Sequence, residues 1–376
     1  MTSPFHTIAA EGVSVTLDLR AGHVRDFVVT QAGRSLVPLH TAPWVDDPSV
    51  TTDEALPANL RYLAGDFFCA PFSTSDVEDA PPHGWTANSP WRHIETLQQP
   101  GSVTAIYRLA RPVMGAVVEK HFTLRDGHPF LYETHVFVGG DGAVPVANHA
   151  MTRLPAGGSI AFSAKAMLET PSTPLEPDPA MGRFHLAYPA RSEDPTRFPT
   201  AAGGFADITR YPFAQRHEDF IGLLEKPGNP LGWLAVSRPD SGDAVISLKN
   251  PAELPLTFLW FSNGGRDYPP WSGRHTGVLG IEEGRAKSVY GHRASIDPNT
   301  LSESGTPTTL TLQPHGRVAV HNVIGAVPLP ASGSAVIDIS LQDAEIVLVC
   351  GDGARISVPY DTAFLNQDGG ASLAHP

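Results

Sequence analysis

Apolar and polar residues alternate along this chain in short runs that never settle into the 3.6-residue rhythm of an amphipathic helix. Val13-Ser14-Val15-Thr16-Leu17-Asp18-Leu19 alternates with period two, the pattern of a strand with one face buried. Val103–Tyr107 is rich in strand formers. The runs Val117–Leu124 and Phe130–Val138 flank Asp126-Gly127, a dipeptide that closes hairpins because glycine takes positive φ without steric cost. Similar runs lie at Gly232–Val236, Ala244–Leu248, Leu256–Phe261, Thr308–Leu312 and Arg317–Ile324. Gly and Pro, 35 and 36 residues, make up nearly a fifth of the chain, a density at which long helices do not survive. Many short antiparallel strands predict an all-β fold, a large sandwich or barrel.

Two segments break the pattern. Between Pro171 and Pro212 the prolines at 171, 174, 177, 179, 189, 195, 199 and 212 predict a long irregular stretch, either a lid over a site or an insertion at a sheet edge. After Pro328 the sequence becomes small and polar, and a strand pair follows, Ile346–Cys350 and Ala354–Val358, around Asp352-Gly353. The chain therefore divides into a main unit, 1–327, and a C-terminal β extension, 328–376, to which the sequence assigns no role.

The formal net charge of −13 over 376 residues argues against a nucleic-acid surface, which needs a basic stripe. A neutral polyol suits that balance better. Two cysteines, Cys69 and Cys350, are too few for a disulfide framework and predict a reducing compartment. The start Met-Thr-Ser-Pro-Phe-His has no basic segment leading into an apolar run, and no stretch of about 18 apolar residues occurs. The expectation is a cytoplasmic protein that does not cross a membrane.

Three separate segments carry the candidate chemistry. In Pro82-His83-Gly84-Trp85, the glycine allows a tight turn beside an imidazole, and the indole offers a flat face to sugar C–H groups. In Val144-Pro145-Val146-Ala147-Asn148-His149, strand alternation sends Asn148 and His149 to opposite faces. In Val278-Leu279-Gly280-Ile281-Glu282-Glu283, a carboxylate follows directly on an apolar run. A partly buried carboxylate there has a raised pKa and suits a general base, with Glu283 competing for the role; an exposed strand-end glutamate is the bland reading. Two imidazoles and a carboxylate suffice for acid–base chemistry at neutral pH. They would also match a two-histidine, one-carboxylate metal site, although no His-x-His pair accompanies them. Neither a G-x-S-x-G elbow nor a phosphate-binding glycine loop is present.

Together these segments resemble the galactose mutarotase-like (aldose 1-epimerase) superfamily. His83-Gly84-Trp85 is similar to its His-Gly-Phe segment, and Asn148-His149-Ala150-Met151-Thr152-Arg153-Leu154 to its Asn-His strand. Gly280-Ile281-Glu282 falls where the family has its catalytic glutamate, Gly65–Phe72 resembles an upstream loop, and Trp260–Gly265 a Trp-x-x-Gly-Gly run. Thr311–Gly316 resembles the closing strand. The chain departs from the pattern at Glu283, where a proline is usual, and at Met151-Thr152, where an aromatic pair is usual. The resemblance implies a β-supersandwich of large twisted antiparallel sheets and interconversion of sugar anomers without nucleotide or redox cofactor. It implies Glu282 as base and His149 as proton donor, with His83 orienting the substrate; Trp85 and Trp260 are expected to stack on the sugar's C–H faces, and Asp66 and Arg153 to contact it. The partner would be a small carbohydrate. The alternative is a carbohydrate-binding or regulatory protein on the same fold, without turnover.

Overall fold

The computed structural model describes residues 3–367. Strand accounts for 47% of the molecule and helix for 6%, so backbone polar groups are satisfied chiefly between strands. The helices are single turns, such as Ala58–Arg61 and His292–Ile296. Among the described residues no helix is long and apolar enough to cross a membrane.

Two large antiparallel sheets carry the fold. One has nine strands, in the spatial order Arg210–Tyr211, Gly158–Phe162, Gly232–Arg238, Asp243–Lys249, Arg317–Pro328, Phe130–Val138, Val117–Arg125, Ser102–Leu109 and Trp91–Gln99. The other has seven: Arg191–Ser192, Lys165–Glu169, His217–Glu225, Leu256–Asn263, Val278–Arg285, Val146–Arg153 and Phe68–Cys69. The hairpin at Asp126-Gly127 forms as its sequence predicts, with Gly127 at φ +75 and strand Val117–Arg125 paired to Phe130–Val138.

The sheets pack face to face. Leu259, Phe261, Leu279 and Ile281 of the seven-stranded sheet share one buried cluster with Tyr107, Phe122, Phe137 and Ile324 of the nine-stranded sheet. The far face of the seven-stranded sheet is also covered. There Met151, Phe220, Phe258 and Trp260 pack against Trp44, Phe67, Phe72 and Trp271 from the connecting segments. This sheet is thus buried on both sides, and its central strands lose the period-two pattern. The Thr308–Leu312 run shortens to a strand at Leu310–Thr311, paired with Ala143–Val144. Glu282 does not end a strand: Val278–Arg285 runs on past it, through the middle of the sheet.

The proline-rich stretch 171–212 is more ordered than its composition predicts and contains four two-residue strands. Buried Asp219 anchors it. Its carboxylate accepts from the His185 and Leu186 amides and the Tyr188 hydroxyl, each at 3.0 Å, and pairs with His217 Nδ1 at 2.8 Å. Near the C-terminus, Val336–Gln342, Glu345–Cys350 and Arg355–Pro359 form a three-stranded sheet. It lies on the outer face of the nine-stranded sheet, with Ile339, Ile346 and Leu348 packed among Tyr132, Trp233 and Ile246.

Candidate functional site

Strand register sets the centre of the site. Val146–Arg153 and Val278–Arg285 are antiparallel neighbours in which His149 sits directly opposite Glu282. Alternation turns both side chains to the face shared with Met151 and Phe258, away from the inter-sheet core. His149 Nε2 lies 3.2 Å from Glu282 Oε1. Gly280 makes room beside them: a Cβ there would stand 2.9 Å from the Trp260 Cβ and 3.2 Å from Glu282 Oε1. The pair lines a cavity of about 330 Å³, together with His83, Phe67, Phe72, Trp260, Arg266 and Trp271.

Both groups are almost fully buried, and burial opposes charge on each. It raises the Glu282 pKa well above the carboxylate value and, with neighbouring His83 as a lesser cause, lowers that of His149 well below 6.5. The His149 ring is clamped by Phe67, stacked at 4.4 Å between centroids, and by the edge-on Trp260 at 5.6 Å.

His83 enters from the opposite wall, its ring centroid 5.6 Å from that of His149 and nearly perpendicular to it. The backbone holds it there. His83 takes φ +66 and Gly84 φ +72, and a Cβ on Gly84 would stand 1.9 Å from the Ala70 carbonyl oxygen. Only glycine fits against that carbonyl. His83 Nδ1 lies 3.3 Å from Cys69 Sγ. Burial, then the carboxylates of Glu282 and Asp66, push the Cys69 thiol well up, so it stays protonated. Burial, and secondarily Arg266, lower His83 to about 4, so the ring is neutral at physiological pH.

Behind Trp260 lies a polar network that sequence reasoning missed. Glu218 accepts from Trp260 Nε1 and from Ser262 Oγ at 3.0 Å, and forms an ion pair with Arg266, whose Nη1 is 3.5 Å away. Ser262 Oγ in turn lies 2.8 Å from His275 Nδ1. The Arg266 guanidinium lies over the Trp271 ring at 4.5 Å. The signal that would have found Glu218 is the one that found Glu282: an acidic pair, Glu218-Asp219, directly against an apolar run. Nothing in the sequence pattern marks Arg266 or Trp271.

Of the seven expected site residues, the structure brings four into the cavity: His149, Glu282, His83 and Trp260. Three lie elsewhere. Trp85 is two residues from His83, but the turn at Gly84 sends its ring outward, where it packs on the inter-sheet core and carries Arg111 at 4.1 Å. Asp66 is buried behind the strand bearing His149. Its Oδ1 accepts from the His149 amide at 3.0 Å, and burial raises it to about 6 beside Glu133 and Lys120. Arg153 ends its strand exposed, four residues from His149 and so roughly 13 Å along the strand. Glu283 faces the inter-sheet side, where Lys249 Nζ meets it at 2.6 Å. The irregular segment touches the site at its beginning, through Thr173, Pro174 and Leu175. Among the described residues no group of three or more His, Cys, Asp or Glu is placed to hold a metal ion.

Comparison with known proteins agrees with the architecture. No family model matches the chain, and no curated protein does. Solved structures do match. A candidate aldose 1-epimerase from Escherichia coli K12 superposes with a TM-score of 0.55 at 15% identity, over 86% of this chain and 99% of that one. A galactose mutarotase-like protein from Clostridium acetobutylicum gives 0.52 at 12%, over 86% and 95%. A galactose mutarotase related enzyme from Lactobacillus acidophilus gives 0.51 at 12%, over 87% and 98%. At such identities the likeness shows the fold, which is galactose mutarotase-like.

Proposed function

We propose that this chain, built on the galactose mutarotase-like fold, is an aldose 1-epimerase-like isomerase that interconverts sugar anomers. The observation that carries this reading is the facing pair His149 and Glu282, 3.2 Å apart on the wall of an aromatic-lined cavity. Anomer interconversion needs a base at the anomeric hydroxyl and an acid at the ring oxygen. Both atoms are bonded to one carbon, so base and acid must stand close together. Glu282 takes the hydroxyl proton while His149 Nε2 protonates the ring oxygen. The bond from the anomeric carbon to the ring oxygen breaks and an open-chain aldehyde forms. Rotation about the adjacent carbon–carbon bond presents the other carbonyl face, and reclosure reverses both proton transfers.

The pair's proton balance suits this cycle. Burial favours neutral Glu282 and neutral His149. Shifting one proton from Glu282 to His149 Nε2 yields carboxylate base and imidazolium acid without exchange with solvent. His83, neutral and held by its backbone, orients the sugar. Trp260 and the other aromatic rings supply apolar faces for its C–H groups. Each acid–base group contributes about 10² to 10⁴ in rate.

The test is exchange NMR or polarimetry on a panel of aldoses with wild type and Glu282→Gln. Acceleration of anomer exchange by wild type, lost in the variant, supports the reading. Sugar binding without acceleration would leave a carbohydrate-binding protein, and the isomerase reading would fail.

A further inference from the structure

Arg266 is the one permanently cationic side chain among the described residues that line the cavity. Its charge does not stand free. Glu218 sits behind the wall, 1% exposed; its carboxylate accepts from Trp260 Nε1, lies 3.0 Å from Ser262 Oγ and forms an ion pair with Arg266 Nη1 at 3.5 Å. The indole and guanidinium groups can only donate. Burial raises the Glu218 pKa above the usual carboxylate value, while Arg266, Trp260 and Ser262 favour the charged form; with an ion-pair partner and an indole donor on it, the geometry fits an ionised Glu218. Arg266 is also held against the wall by Trp271, its guanidinium carbon 4.5 Å from the centre of that ring.

We infer that the Glu218–Arg266 pair makes this cavity selective for uncharged sugars over phosphorylated or carboxylated ones. Glu218 cancels the Arg266 charge inside the wall. With Glu282 as its other acid, the cavity offers an anion a net charge of zero or −1. A sugar phosphate or uronate would bring its charge out of water with no unpaired cation to meet it, and close to the base. Glu218 thus acts through Arg266 and Trp260, as a positioning residue that sets charge preference. The sugar class rests on the function proposed above; the charge preference does not depend on turnover.

The experiment measures binding by calorimetry for neutral aldoses, for the matching 6-phosphates and uronates, and for inorganic phosphate. Wild type is expected to bind each neutral sugar at least about tenfold more tightly than its anionic counterpart. Glu218→Gln keeps the shape and releases the Arg266 charge. It should shift the anionic-to-neutral ratio upward by about tenfold and create phosphate binding, and Glu218→Gln/Arg266→Gln should abolish both. Tighter binding of a 6-phosphate or uronate by wild type would overturn the inference, as would an unchanged ratio in Glu218→Gln. If that variant does not fold, the wild-type ratio decides. If no sugar binds at all, the sugar reading falls, and inorganic phosphate still decides: binding to wild type overturns the charge preference, binding only to Glu218→Gln upholds it. Lost anomer exchange with the ratio intact would fault the acid–base assignment alone.

Discussion

Glu282 and Glu283 are adjacent in sequence and about equally buried, at 2% and 1% exposure, yet they sit in opposite chemical worlds. Strand alternation points Glu283 between the sheets. There it meets Lys249 Nζ at 2.6 Å, Thr257 Oγ1 at 2.7 Å and Ser247 Oγ at 3.0 Å. Lys249 also approaches Glu225, which pairs with Lys165, so positive and negative groups alternate through the buried interior. Glu282 points into the cavity, where its partner is an uncharged imidazole. Burial alone therefore does not mark a reactive carboxylate. What separates the two is whether a cation neutralises it.

Exchanging each glutamate for glutamine is the strongest way to break this contrast. Glu282→Gln should lower anomer exchange by about 10² or more while sugar binding persists. Removing His149 as well, in Glu282→Gln/His149→Asn, should cost little beyond the single change, because acid and base act as a unit. Glu283→Gln should instead strike the fold. It leaves Lys249 short of a counter-charge in the interior, a loss of about 3–5 kcal/mol measured by denaturant unfolding. Full activity in Glu282→Gln would end the assignment of the base.

The same contrast has a pH signature. Burial raises the folded pKa of Glu282 above its ordinary 4.5. A raised group adds stability fully below its unfolded value and loses it as pH rises through the folded value. Glu282→Gln, which cannot ionise, should therefore unfold at a higher temperature than wild type at neutral and alkaline pH. The gain should shrink toward pH 4. Thermal unfolding across that range checks it, and a variant less stable at neutral pH would show that the carboxylate is favourably paired after all.

The two regions also differ in how legible they were in sequence. Val117–Arg125 and Phe130–Val138 announced themselves by alternation and by Asp126-Gly127. His217–Glu225 did not, because both faces of that strand are buried and its apolar residues run together. The facing of His149 and Glu282 could be expected from family resemblance, whereas their cross-strand register needed the fold. Trp85 misled because a 3₁₀ turn, Trp85–Ala87, follows Gly84 and cancels any rule of alternation. Asp66 misled because proximity to His149 comes through the backbone amide and leaves its carboxylate behind the sheet.

A smaller effect is expected one layer out from the cavity. Cys69 holds His83 Nδ1 at 3.3 Å, and a protonated thiol there favours the tautomer that presents Nε2–H. Cys69→Ala should weaken sugar binding by roughly threefold to tenfold, the worth of one hydrogen bond, with less effect on exchange at saturating sugar. Nitrogen-15 chemical shifts of His83 should show the tautomers mixing in the variant. Wild-type His83 carrying its proton on Nδ1 would contradict the role.

The smallest effect is expected at Trp85. Its neighbour His83 lines the cavity, yet its own ring lies outside, half-buried against the inter-sheet core with the Arg111 guanidinium at 4.1 Å. A cation–π contact of this kind contributes about 0.5–1 kcal/mol. Trp85→Ala should therefore lower stability by that contact plus the lost packing, and leave sugar affinity within about twofold of wild type. Trp260→Ala is the matched control. It removes a cavity wall and one donor to Glu218, so affinity should fall by more than tenfold. Calorimetry on the two variants decides. If Trp85→Ala lost as much affinity as Trp260→Ala, the turn at Gly84 would have to bring the indole to the sugar.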